Sequence, residues 1–197
     1  MEARGNPQSY PAQGVNYVRS TLNYGVLETL QTQLIGWWQQ KRFTYADDFH
    51  IYAFEWTPNW MRFYVDTRLE AMMNIKITGK SGESFFKRAN YPQVARNTSD
   101  LEVAVQDIWQ LAGGTAAAPF DQEFFLIIDL AVGGTSGWFP DGVGGKPWLD
   151  SSDDAMAKFA AAQSTWSKTW PSSANDRAFR MCVLFLFTFL SNGDVRC

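Results

Sequence analysis

Residues 50–66 constrain the fold more than any other stretch. His50-Ile51-Tyr52-Ala53-Phe54-Glu55-Trp56 alternates with period two, so His50, Tyr52, Phe54 and Trp56 share one face and Ile51, Ala53 and Glu55 the other. Thr57-Pro58-Asn59-Trp60 follows as a turn, Pro58 fixing its first corner. Met61 to Asp66 then runs back, and the two arms make an antiparallel hairpin.

Other strand signals are short, aromatic and β-branched: Tyr17 to Asn23, Leu34 to Trp38, and Met72 to Ile77. Lys80 to Pro119 is polar, is broken by Gly and Pro, and reads mainly as a long loop, with Leu101 to Trp109 a short strand or helix. Phe124 to Val132 is the most hydrophobic internal run. Too short for a core helix and flanked by Pro119 and Gly133-Gly134, it is predicted to be a buried central strand. Asp153 to Trp166 is compatible with a helix. With 197 residues, no repeat and no second domain visible, this pattern predicts an all-β antiparallel sandwich with one or two short helices.

Several function classes fall away. A net charge of −3 with scattered Lys and Arg offers no electrostatic footprint for nucleic acid. Met181 to Leu190 is the only long apolar run, about half of what a membrane-spanning helix needs. One histidine and two cysteines give no zinc-binding cluster, and no cofactor is implied. The glycines from Gly133 to Gly145 lack the spacing of a phosphate-binding loop. Cys182 and Cys197 allow one disulfide and do not fix a redox compartment. No signal peptide is read at the N-terminus. The triplet Asn97-Thr98-Ser99 is a glycosylation sequon consistent with secretion.

Aromatic residues make up 16% of the chain and nine are tryptophans. Most are accounted for by a sandwich core; the rest are available as flat apolar platforms. Sugars bind such platforms because their C–H faces are apolar while their hydroxyls seek directional hydrogen bonds.

Three blocks carry a specific resemblance: Met1-Glu2-Ala3-Arg4-Gly5-Asn6; Phe49 to Pro58 with Arg62-Phe63-Tyr64-Val65-Asp66; and Ala118 to Trp148. In this order they resemble glycoside hydrolase family 16, of the fungal laminarinase-like endo-β-1,3-glucanase kind, from Met1 to about Arg180. The resemblance implies a concanavalin A-like jelly roll, N-terminally truncated. It divides the chain into a partial family 16 domain over 1–180 and an aberrant apolar tail over 181–197.

It also implies a site. Family 16 enzymes carry Glu-x-Asp-x-x-Glu on one strand, the first Glu as nucleophile and the last as acid/base. Glu2 matches the acid/base; the nucleophile and Asp have no counterpart. Retaining hydrolysis needs two carboxyl groups about 5 Å apart, so the chain alone is expected to be inactive. Arg4 and Asn6 beside Glu2 are candidates to orient it or bind sugar. His50, Tyr52 and Trp56 share a face beside the motif and are candidates for the glucan cleft; Glu55 reads as structural. Asp129, centred in the apolar run, would be a buried charge needing a partner or a function. It stands where many family members have a cleft-facing Asn, and is a candidate for a sugar hydroxyl. Trp138, in the glycine-rich loop, is a candidate stacking platform, as is Trp148. The implied partner is a β-1,3 or mixed-linkage glucan and the implied location is extracellular. Two functions follow from the resemblance: retaining hydrolysis of glucan by the parent enzyme, or glucan binding without cleavage, since the fold includes such relatives.

Overall fold

In the computed structural model, residues 1–10, 14–135 and 137–185 are described, together with two backbone strand pieces at Thr188–Phe189 and Val195–Arg196. The chain forms two units, Met1–Leu126 and Ile127–Cys197.

The first unit is built on two three-stranded antiparallel sheets. One contains β1 (Glu2–Ala3), β2 (Tyr17–Leu27) and β3 (Leu30–Gln39) in that order. The other contains β4 (Tyr52–Trp56), β5 (Trp60–Val65) and β6 (Ala71–Lys76). The predicted hairpin is β4–β5, with Phe54 opposite Phe63 and Glu55 opposite Arg62. Its turn is closed by Thr57, whose hydroxyl donates to the Trp60 carbonyl and accepts from the Trp60 amide.

Alternation decides what each sheet buries. Val18, Ser20, Leu22 and Tyr24 of β2 point one way with Leu34, Gly36 and Trp38 of β3. Met61, Phe63 and Val65 of β5 and Met72 and Ile75 of β6 meet them in a single core. The two layers approach closely at Gly36, where a Cβ would stand 1.9 Å from the Met72 carbonyl oxygen. Only glycine admits that backbone there, and β5–β6 shifts register alongside it, between Phe63 and Tyr64. Ser20, opposite Gly36, is fully buried and donates to the Met72 sulfur at 3.6 Å.

The 80–119 region is more structured than its polarity suggests. It holds α1 (Phe85–Ala89), β7 (Val94–Arg96), β8 (Glu102–Ala104) and α2 (Ile108–Leu111). Ser84 caps α1 by accepting from the Lys87 amide, and Asn90 ends it in the left-handed region. This short helix exists to deliver Phe85, which is fully buried and meets Tyr24 and Phe120 edge-on at 5.2 and 4.8 Å.

Burial perturbs the phenols of this core. It raises the Tyr24 hydroxyl to about 12, with Tyr91 adding to the effect, and it also raises Tyr45. Both groups hold their protons more tightly folded than unfolded. Their contribution to stability is therefore complete below the ordinary tyrosine value of about 10 and is lost as pH rises above it, for Tyr24 toward about 12. Denaturant midpoints measured from about pH 9 upward should fall, and less steeply in Tyr24→Phe; a flat profile would contradict this assignment.

The run that spans the division between the units corrects one expectation. Residues 124–132 belong to no ladder among the described residues, and Phe124 to Leu130 are exposed, Phe125 by 96%. A strand apolar on both faces is stable only with neighbours on both edges and layers on both faces, and this run is paired with none of the described strands. Asp129 is accordingly exposed rather than buried. The helix expected over 153–166 forms as α3 (Ala155–Ala161) and α4 (Gln163–Trp166). In the tail, β9 (Thr188–Phe189) pairs with β10 (Val195–Arg196). Cys182 is exposed, and Cys197 lies outside the described residues.

Candidate functional site

Because β2 and β3 bury their even-numbered residues, their odd-numbered ones form the opposite, solvent-facing side of the first sheet. Register puts Glu2 beside Arg19 and Arg19 beside Trp37, one row across three strands. Arg19 Nη2 lies 3.0 Å from Glu2 Oε2, and Nε donates to the same oxygen at 3.3 Å. Both side chains are partly exposed, so the pair adds little to stability; its effect is to hold the carboxylate in one orientation.

Trp37 is 55% exposed and lies nearly parallel to Tyr17, with ring centroids 5.6 Å apart. Tyr17 is itself buried beneath this cover, and burial raises its hydroxyl pKa against the pull of Arg19 and Arg4. An indole supported from below and open above is a ready stacking surface. Thr21 opposite Ile35, and Asn23 opposite Gln33, extend the same face along the strands. Arg4 continues the alternation of β1 toward this face. Burial, then the nearby Arg19 charge, lowers its pKa, while Glu2 and Tyr17 oppose that shift.

Arg4 and Glu2 are thus brought together, and Asn6 lies just beyond them in an isolated bridge to Gly14. Arg19, Trp37 and Tyr17 were not picked out by sequence reasoning. The signal was present in Tyr17-Val18-Arg19 and Trp37-Trp38, but only the register shows which tryptophan of the pair is outside.

His50, Tyr52 and Trp56 form a different group. Tyr52 and Trp56 stand opposite Val65 and Met61, on the core-facing side of the second sheet, and are partly exposed because β4 is its edge strand. Trp56 meets Phe124 edge-on at 5.4 Å. The His50 side chain is only 9% exposed; its Nδ1 lies 2.8 Å from Asp66 Oδ2, and it packs between Phe43 and Tyr45. Asp66 also accepts from the Ile51 amide, so this pair fastens the start of β4 to the end of β5. These three residues do not join the Glu2 row. Glu55 faces the other way, bonded to Arg68 and Tyr64.

In the second unit, Asp129 is exposed and Trp138 half-buried. Trp148 is packed into its loop: its indole N–H donates to the Gly134 carbonyl at 2.7 Å, and Phe159 meets it edge-on at 5.1 Å. Beside it, Lys146 Nζ reaches Asp141, Asp150 and the Phe139 carbonyl, each at 2.6 Å. The Lys146 bond holds the Asp141 carboxyl below its ordinary range.

The chemistry available on the open face is limited by its carboxylates. The strand positions of β1–β3 on that side supply one, Glu2, with Arg4 and Arg19 beside it. Double displacement requires a second about 5 Å away. Among the described residues no group of three or more metal-ligating side chains exists, and no helix is long and apolar enough to cross a membrane.

The model of glycosyl hydrolases family 16 matches residues 2–114, and the chain belongs to that family. Among curated relatives it is similar to the beta-1,3-glucan-binding protein of Penaeus monodon, 34% identical over 176 residues, covering 86% of this chain and 42% of the relative. Beta-1,3-glucan-binding protein 1 of Manduca sexta is 33% identical over 129 residues, covering 66% of this chain and 23% of the relative. Gram-negative bacteria-binding protein 3 of Drosophila melanogaster is 31% identical over 115 residues, covering 58% and 20%. The chain therefore spans less than half the length of these relatives. No solved structure matches it significantly.

Proposed function

We propose that this chain is a β-1,3-glucan-binding sheet module that recognises polysaccharide without cleaving it, and that it works outside the cell. The observation that carries the reading is the row Glu2–Arg19–Trp37: an open indole supported by Tyr17, next to charged hydrogen-bonding groups and a single carboxylate. The indole takes the apolar face of a glucose ring, while Arg19, Arg4 and Glu2 reach its hydroxyls. The names of the relatives from Penaeus monodon and Manduca sexta support β-1,3-glucan as the ligand.

A second reading has one observation in its favour. By its resemblance to the family motif Glu2 would serve as acid/base, and a parent protein would then hydrolyse β-1,3 or mixed-linkage glucan with retention, as a laminarinase does. It would need a nucleophile beside Glu2 from outside this sequence.

Retention of the purified chain on particulate β-1,3-glucan, with cellulose as linkage control, separates the readings when combined with a reducing-sugar assay on laminarin. Retention without new reducing ends is expected. Release of reducing sugar would instead establish hydrolysis, and absence of retention would remove the binding reading.

A further inference from the structure

We propose that Asn97 is an acceptor for N-linked glycosylation, in the loop of the β7–β8 hairpin and away from the proposed glucan face. The inference rests on the extracellular part of the reading above, since such transfer occurs on the secretory route.

Asn97 is half-buried at the start of a well-defined loop whose following residues, Thr98 to Asp100, are exposed. Val94–Arg96 and Glu102–Ala104 pair in register, with Arg96 opposite Glu102, and Asn97 opens the connection between them. The Asn97 amide donates to the Leu101 carbonyl at 2.9 Å, and the Asp100 amide to the Asn97 carbonyl at 3.0 Å. Asn97 Oδ1 accepts from the Ser99 and Leu101 amides, each at 3.0 Å. This Asx-type turn uses only the oxygen of the side-chain amide, and Nδ2 is the group it leaves for chemistry. Thr98 and Ser99 are exposed, as an acceptor triplet in a surface loop must be.

The transfer balances with one co-reactant, a polyprenyl-diphosphate-linked oligosaccharide. Asn97 Nδ2 forms the bond to the anomeric carbon, the bond from that carbon to the diphosphate oxygen breaks, and Nδ2 gives up one proton. No oxidant or reductant is needed.

Position gives the site its consequence. Thr29, in the β2–β3 turn, donates to the Arg96 carbonyl at 2.6 Å, so the hairpin is tied to the turn end of the first sheet. Arg19 lies eight residues up β2 from Leu27, about 26 Å at about 3.3 Å per residue. A glycan at Asn97 is therefore attached at the turn end of the first sheet, at the far end of β2 from the Glu2–Arg19–Trp37 row.

The test expresses the full chain behind a secretory leader in a glycosylating eukaryotic host. The secreted protein should lose mass with peptide N-glycosidase, Asn97 becoming Asp. Ser99→Ala should abolish the modification while keeping the Asn97 turn, and Ser99→Thr should restore it. Glycosylated and enzymatically stripped protein should bind particulate glucan equally. Secreted protein unmodified at Asn97, or modification that survives Ser99→Ala, overturns the proposal. Modification of a chain that fails to bind glucan would leave the site standing and remove the binding function instead.

Discussion

Phe85→Ala is expected to be among the most destabilising single substitutions in the first unit, removing a large fraction of its stability. Truncating a fully buried phenylalanine removes its transfer free energy and leaves a cavity, together about 3–5 kcal/mol, against a total stability of about 5–15 kcal/mol for an ordinary domain. Here the loss falls on a junction. Phe85 lies between Tyr24 of β2 and Phe120, with Trp109 packed against the same cluster. The cavity therefore loosens the loop region from the sheets as well as thinning the core. Urea midpoints followed by tryptophan fluorescence should drop well beyond those of Phe125→Ala. That second change removes a side chain 96% exposed and should stay within about 0.5 kcal/mol of the parent. Equal effects from the two would mean that α1 is not anchored through Phe85.

The part of this architecture that local pattern dictates was legible. The β4–β5 hairpin follows from period-two alternation and from Thr57-Pro58, and it forms with the expected partners. β2 and β3 were found as pieces, shorter than the strands that form, because propensity marks a strand's apolar centre better than its polar ends. Burial was less legible. Phe124 to Val132 has the composition of a central strand, but composition cannot supply neighbours, and without a flanking ladder the run stays exposed. Phe85 carries no such signal in the sequence, because it sits in a polar stretch where one capped turn of helix, rather than a long periodic run, carries it into the core.

The site divides the same way. The motif names Glu2 and Arg4, and the structure brings their charges near each other without testing their role. His50 could be placed on a face by alternation, but its pairing with Asp66 depends on where β5 ends, sixteen residues further on. Trp37 and Trp38 are indistinguishable in sequence. One packs against the core and the other faces solvent, and the difference is a single step of register.

That step makes the last prediction a sharp one. Trp37→Ala should weaken retention on β-1,3-glucan by about 30-fold, since a central aromatic anchor is worth about 2 kcal/mol or more and each 1.4 kcal/mol is about tenfold. The fold should survive: Trp37 touches Tyr17 from outside, and the stacking lost is about 0.5–1.5 kcal/mol. Trp37→Phe, which keeps a ring over Tyr17, should fall between the two. Trp38→Ala should behave in the opposite sense, lowering stability through the core while affecting binding only as far as the sheet loosens. Depletion isotherms on particulate glucan, read beside thermal melts, distinguish the two positions. The decisive control is Trp56→Ala, on the core-facing side of the second sheet. If binding is lost there and kept in Trp37→Ala, glucan is held by the second sheet's edge and not by the Glu2 row. If only Trp37→Ala loses it, the carboxylate of Glu2 lies beside bound sugar, held by Arg19 to accept hydroxyl hydrogen bonds rather than to share catalysis with a second acid.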